Sequence, residues 1–152
     1  NTIRPNADIS REEITTLLVN AFYTVDNGAS TAFTDVASTA WYGKYIGTAV
    51  QKGLVSGMGD GTFGVGRAVT RQDIAVMMFN YLNATGYPVN TSADQAFADD
   101  AAIDSYAHDA VYALKNAGVV NGYSDLTFNP TGAASRAEVA QMISNLLTLL
   151  GR

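Results

Sequence analysis

The sequence predicts an all-α fold built from helix-loop-helix repeats. Three observations carry that prediction. A set of residues recurs at an offset of 65 positions, an apolar stripe of helical period is written three times, and a capping pair stands before each stripe. Sliding Trp41–Leu82 forward by 65 places Trp41 on Tyr106, Ile46 on Val111, Gly53 on Gly118, Gly57 on Gly122 and Asp60 on Asp125. The same shift puts Thr62-Phe63 on Thr127-Phe128 and Thr70-Arg71 on Ser135-Arg136. Phe33-Thr-Asp35 meets Phe97-Ala-Asp99 at an offset of 64. Sliding backward by 60 puts Thr62-Phe63 on Thr2-Ile3 and Thr70-Arg71 on Ser10-Arg11. The chain therefore opens midway through a copy whose first half is missing or lies outside the sequence. One domain over residues 1–152 is expected, with a half copy at 1–24 and full copies at 33–83 and 97–150.

The elements follow in order. Ser10-x-x-Glu13 places a hydroxyl at an N-cap and an acid at N3, the pattern of a capping box, ahead of a helix at about 10–23. Its stripe is Ile14, Leu17, Leu18, Ala21 and Phe22. Trp41, Tyr45, Ile46, Ala49 and Val50 give a helix at about 40–52, stopped by Gly53 at C′. A loop of about 16 residues, Leu54 to Val69, follows and is held to the core by Phe63. Thr70-x-x-Asp73 starts a helix at about 70–83 with the stripe Ile74, Met77, Met78, Tyr81 and Leu82. Tyr106, Ala110, Val111 and Leu114 give a helix at about 104–117, ended by Gly118. The second loop, Val119 to Ala134, is pinned by Phe128. Ser135-x-x-Glu138 starts the last helix, about 135–150, with Val139, Met142, Ile143, Leu146 and Leu147 on its apolar face.

Composition narrows the function. A net charge of −5 and a pI near 4.6 leave no broad basic surface for nucleic acid, so an anionic ligand would have to meet a few placed cations. The absence of cysteine excludes disulfides and thiolate metal sites. Apolar runs fall short of the roughly 18 residues of a membrane span, and the start Asn-Thr-Ile has neither the basic nor the apolar region of a signal peptide. Asp60 alone among glycines does not make a calcium loop, and His108, the one histidine, makes neither a zinc site nor a triad. The adjacent Asp99 and Asp100 are not by themselves a catalytic pair, and no phosphate-binding loop is present. No cofactor and no enzymatic activity are expected.

The candidate binding residues are those the copies repeat. Arg11, Arg71 and Arg136 each sit at N1, where the helix dipole makes a cation unfavourable by roughly 0.3–1 kcal/mol. Such an arginine needs a partner, and two compatible readings remain. One is an ion pair with the N3 acid or with a neighbouring copy. The other is an anion site, with the guanidinium forking to a carboxylate beside free N–H groups of the helix start. Asp60 and Asp125 either hold their own turns or bond sugar hydroxyls. Gly59 and Gly61 either supply turn dihedrals or admit a ligand to the backbone. Trp41 is either a core residue or a face for stacking a sugar.

Several of these segments, in this order and spacing, resemble the S-layer homology repeat. They are Phe33-Thr-Asp35-Val36, Trp41-Tyr42, Gly53-Leu54-Val55-Ser56-Gly57, Gly59-Asp60-Gly61-Thr62-Phe63 and Thr70-Arg71-Gln72-Asp73. Phe97-Ala-Asp99, Gly118 to Asp125, Thr127-Phe128-Asn129-Pro130 and Ser135-Arg136-Ala137-Glu138 repeat them. The leading half copy offers Thr2-Ile3-Arg4-Pro5-Asn6 and Ser10-Arg11-Glu12-Glu13. The resemblance implies a pseudo-threefold assembly with a central bundle of second helices and grooves between copies. It implies non-covalent anchoring, outside the cell, to the wall of a Gram-positive-type bacterium through an acidic, pyruvylated secondary cell-wall polysaccharide. It makes the arginine of the Thr-Arg-Ala-Glu motif a principal contact. Asp100 replaces the usual Val, Tyr106 the first-helix Trp, and Leu126 a loop Gly. The alternative is a protein-interaction module that assembles a surface lattice by self-association.

Overall fold

The computed structural model describes residues 4–152. The pairing of Thr2-Ile3 with Thr62-Phe63 lies outside the described residues. Five α-helices are present among them: α1 Arg11–Phe22, α2 Gly43–Gln51, α3 Arg71–Thr85, α4 Ser105–Asn116 and α5 Arg136–Leu149. A 3-10 turn at Asp100–Ala102 precedes α4. Among the described residues the extended segments meet only in isolated bridges, so no sheet forms.

The chain divides into two compact units, and their borders do not follow the copies. One unit is Ile9–Ala68; the other joins the leading residues up to Asp8 with Val69–Arg152. Each unit thus combines the second helix of one copy with the first helix and loop of the next. In the first unit α1 packs on α2. In the second unit α3 packs on α4, and more extensively than on α5. The reason lies in which faces are apolar. α3 buries Ile74, Met77, Met78, Tyr81 and Leu82, and α4 buries Ala107, Ala110, Val111 and Leu114, so the two stripes close on each other.

The helix ends obey local chemistry. Ser10, Thr70 and Ser135 accept hydrogen bonds from the N3 amides of Glu13, Asp73 and Glu138 at 3.2–3.3 Å. The reciprocal half of the capping box closes only at α5, where Glu138 Oε1 accepts from the Ser135 amide. At α1 the Glu13 carboxylate takes the Ser10 hydroxyl hydrogen instead, and at α3 Asp73 accepts from the Tyr106 hydroxyl. Gly53 and Gly118 follow α2 and α4 at φ 72° and 78°, and the amides after them, Leu54 and Val119, reach back to Ala49 and Leu114.

Three expectations shift. α2 begins at Gly43, after Tyr42, which makes no side-chain cap bond, so Trp41 precedes the helix instead of joining its stripe. Trp41 is 60% exposed, against the core reading of that residue. Leu17 is also exposed, and the buried face of α1 runs through Ile14, Thr15, Leu18 and Val19. Thr15 can be buried because its hydroxyl bonds the Arg11 carbonyl at 2.7 Å.

The loops are ordered by the predicted aromatics: Phe63 and Phe128 are fully buried. Leu126 stands where the preceding copy has Gly61, at φ 67° against 87°, and its side chain is 71% exposed. A leucine in the left-handed region costs about 1–2 kcal/mol, and packing recovers little of it here. Leu126→Gly is therefore expected to stabilise the protein by about 0.5–1 kcal/mol after the entropy cost of glycine. Urea unfolding checks this, with a raised midpoint at unchanged slope as the expected outcome.

Candidate binding site

The site is built by the residues that join a second helix to the following loop. Arg11 is 7% exposed; its Nε donates to the Phe63 carbonyl at 2.9 Å and an Nη to the Ser56 carbonyl at 3.2 Å. Its guanidinium lies 4.9 Å from the Phe63 ring centre. Arg71 is 6% exposed and repeats the arrangement: Nε donates to the Phe128 carbonyl at 2.7 Å, with the Phe128 ring at 5.0 Å and the Tyr123 ring at 4.8 Å. An Nη of Arg71 also pairs with Glu138, the N3 acid of the next copy. The ion-pair reading thus holds at Arg71.

At α3 and α5 the helix-start amides are not available to a ligand in the way the sequence suggested. The N1 amides of Arg11, Arg71 and Arg136 donate to the carbonyls of Arg67, Gly132 and Ala7. The N2 amides of Gln72 and Ala137 donate to Pro130 and Pro5. The N3 amides are taken by the caps. An extended loop strand therefore supplies the acceptors that an anion would have supplied.

Two residues of the Phe-x-Asp motif, to which the sequence reading gave no role, shape the loop. Asp35 accepts from the amides of Phe63, Gly64 and Val65 at 2.8–2.9 Å. Asp99 accepts from Phe128 and Asn129 at 2.9 and 2.8 Å. Partial burial works to raise the Asp35 pKa, but the three amide bonds outweigh it and hold the carboxyl below its usual value. The motif's Phe packs against a loop glycine: a Cβ at Gly122 would meet Phe97 Cε1 and the Thr127 carbonyl at 2.7 Å. Gly57 stands against Phe33 in the same way. A signal for this clamp was present in the sequence, since Phe-x-Asp precedes each loop at nearly constant distance.

Asp60 and Asp125 hold their own turns, each accepting from a threonine two residues on, with hydroxyl bonds of 2.6 Å. Those hydroxyl bonds, then the threonine amides, lower both pKa values. Gly59 and Gly61 adopt φ 90° and 87°, so turn dihedrals alone require glycine there, and the space where a Cβ would stand is open. Asp100, the departure from the usual Val, accepts from Tyr112 at 2.6 Å and contacts His108 Nε2 at 2.9 Å. Asp99 and Asp100 therefore serve different partners. Burial first, then the bond to Asp100, pushes the Tyr112 pKa up to about 12. Among the described residues no three His, Cys, Asp or Glu come together as a metal site.

A groove of about 250 Å³ opens beside Arg71, lined by Val119 to Tyr123, Glu138, Gln141, Met142 and Asn145. Val119, Val120 and Met142 form an apolar floor and Tyr123 a partly exposed aromatic wall, while Gln141 Nε2 donates to Asn145 Oδ1 at 2.8 Å and Asn145 Nδ2 to the Val119 carbonyl at 3.1 Å along the polar side. Tyr123, Gln141 and Asn145 were not singled out as binding residues from the sequence. Of the residues that were, only Arg71 lines this groove. Asp125 belongs to the same loop but faces its own turn, and Arg136 stays half-buried at the start of α5. In the other unit, Arg11, Asp60, Gly59 and Gly61 share one loop region, and Trp41 lines a separate depression.

The family model described as S-layer homology domain matches residues 32–75 and 96–140. The chain is 32% identical to an amylopullulanase of Thermoanaerobacterium thermosulfurigenes over 97% of its own length and 8% of that protein. It is 32% identical to S-layer protein EA1 of Bacillus anthracis over 80% of its length and 14% of that protein. It is 25% identical to a cellulosome-anchoring protein of Acetivibrio thermocellus over 95% of its length and 33% of that protein. The chain thus spans a third or less of these relatives.

Two expected outcomes test the architecture of the site. Asp35→Ala should destabilise by roughly 2 kcal/mol, because three amides lose a charged acceptor. The Asp35 carboxyl titrates lower in the folded protein than its unfolded value near 3.9. Its contribution is therefore complete above about pH 4 and is lost as the pH falls through the folded value, so wild type and variant converge in acid. Arg71→Ala should cost about 2–3 kcal/mol by removing the Nε donor to the Phe128 carbonyl and the cation paired with Glu138, measured by thermal or urea unfolding.

Proposed function

The chain belongs to the S-layer homology domain family, and from that premise we propose that it is a surface-anchoring module which binds a cell-wall polysaccharide in the groove beside Arg71. The observation that carries the reading is the groove itself: an arginine, an exposed tyrosine and side-chain amides around an apolar floor. A pyranose ring has an apolar CH face and a ring of hydroxyls, and these linings match both parts. Arg71 keeps its fork oriented by the Phe128 carbonyl and by Glu138, so a ligand carboxylate would share a preorganised cation with Glu138. The acidic ligand is read as a pyruvylated amino sugar of a secondary cell-wall polymer, in a Gram-positive-type bacterium.

Arg11 and Arg136 stand at the same helix position in the other copies and are read as unequal counterparts. Met58 replaces Tyr123 in the loop that receives Arg11, so that copy lacks the aromatic wall. Asp60, Asp125, Gly59 and Gly61 shape the loops from which hydroxyl contacts come. Relatives named as an S-layer protein and a cellulosome-anchoring protein support a surface role. The amylopullulanase is matched over 8% of its length, so its activity is not carried to this chain. A polymer engages several weak sites at once, so avidity would set overall retention.

Pull-down with purified cell-wall sacculi, before and after removal of pyruvyl ketals, tests the proposal. Ketal-dependent retention is expected, with Tyr123→Ala weakening it about tenfold, near 1.4 kcal/mol. Retention that ignores the ketal, or Tyr123→Ala bound as wild type, contradicts the site. No wall retention together with concentration-dependent oligomers would favour lattice assembly instead.

A further inference from the structure

The sequence holds two Asn-Gly pairs, Asn27-Gly28 and Asn121-Gly122. In such a pair the glycine nitrogen can attack the asparagine side-chain carbonyl, because glycine carries no side chain to block the ring that forms. The attack needs the glycine N–H to lose its proton and the carboxamide to turn toward it. The structure separates the two pairs on both counts.

At Asn27-Gly28 both groups are engaged. The Gly28 amide donates to Asp26 Oδ1 at 2.9 Å, and Lys44 Nζ donates to Asn27 Oδ1 at 3.1 Å. A carboxylate against the N–H opposes formation of a nitrogen anion. The lysine ties the carboxamide to α2. The Asp60-Gly61 pair, which reaches the same ring by losing water, is tied as well: Asp60 Oδ1 accepts from the Thr62 amide at 3.0 Å and the Thr62 hydroxyl at 2.6 Å.

Asn121-Gly122 differs. Asn121 is exposed in the second loop. Among the described residues neither its carboxamide nor the Gly122 amide has a hydrogen-bond partner. The preceding copy provides an internal comparison, because Ser56 stands at the position of Asn121 and its side chain has no carbonyl to attack.

We propose that Asn121-Gly122 is a self-modification site, at which the chain converts its own amide to an acid. The Gly122 nitrogen gives up its proton and bonds to Asn121 Cγ. The Cγ–Nδ2 bond breaks and Nδ2 leaves as ammonia. Water then opens the succinimide ring. Opening at Cγ gives aspartate, and opening at the main-chain carbonyl gives isoaspartate. One water enters and one ammonia leaves, with no change of oxidation state.

The position gives the reaction a consequence. Asn121 and Gly122 line the groove beside Arg71, so a neutral lining residue becomes a carboxylate. Isoaspartate also adds one carbon to the main chain where space is short: a Cβ on Gly122 would already meet Phe97 Cε1 at 2.7 Å. The effect on binding rests on the wall-saccharide reading above, in which the new charge repels an acidic ligand. The chemistry itself does not depend on that reading.

Incubation of the chain in mildly alkaline buffer, followed by peptide mass mapping and isoaspartate-specific enzymatic methylation, tests the site. Asn121 should convert about tenfold faster than Asn27, and Asn121→Ser should abolish the signal from that peptide. Asp26→Ala should speed conversion at Asn27. An intact Asn121, or Asn27 converting as fast in the wild type, overturns the proposal. Sacculus retention of aged wild type against aged Asn121→Ser separates the two readings. Retention lost in step with conversion supports both. Conversion with undiminished retention upholds the modification and counts against the groove.

Discussion

The structure depends on an arginine at the first position of a second helix reaching into the loop of the next copy. Arg11 and Arg71 each give their Nε hydrogen to the carbonyl of a buried phenylalanine, and each guanidinium lies against that phenylalanine ring. At N1 a cation opposes the helix dipole by roughly 0.3–1 kcal/mol. A buried charged hydrogen bond contributes about 1.5–3 kcal/mol, so the docking interaction wins. Other features accommodate it. Gly64 takes φ 94° and lacks the Cβ that would stand 3.1 Å from Arg11 Cδ, and Asn129 takes the same left-handed region in the next copy. The Asp35 and Asp99 carboxylates hold the backbone of those turns from the other side.

Docking also sets what the arginine can offer a ligand. At α3 and α5 the first two amides donate to carbonyls of extended segments, so under the proposed reading recognition comes from side chains around the groove. Arg71 is held by Phe128 and Glu138 and lies over Tyr123, which places a fixed cation beside an aromatic wall. The structural role and the proposed binding role thus use one geometry. Where the loop carries Met58 in place of Tyr123, the docking survives while the wall is lost. Copies can therefore keep the same docking and differ in the lining beside it.

The helices, their caps and their glycine stops were legible because each is written within a few residues. The Ser135–Glu138 box and the Gly53 and Gly118 stops needed no tertiary information. The start of α2 was misplaced because no side-chain cap marks it, and an aromatic residue just ahead of a helix has the same period as one inside it. Leu17 shares its stripe position with the buried Met77 and Met142, and the sequence does not reveal that α1 buries Val19 instead. The arginine partners were not legible, since the Phe63 and Phe128 carbonyls lie more than fifty residues away in sequence. Tyr123, Gln141 and Asn145 were missed because nothing local distinguishes them; only the fold brings them to the same groove. The role of Asp100 was equally hidden, since its partners Tyr112 and His108 lie on α4.

The central claim is that Arg71 meets the polysaccharide through its side chain while the helix start stays engaged with the loop. Heteronuclear NMR during titration with the acidic wall saccharide tests this directly. The account predicts shifts at the Arg71 Nε–H and the Tyr123 ring, with the Arg71 and Gln72 backbone amides unmoved on Gly132 and Pro130. Shifts at those amides, with the Arg71 side chain and Tyr123 silent, would contradict it.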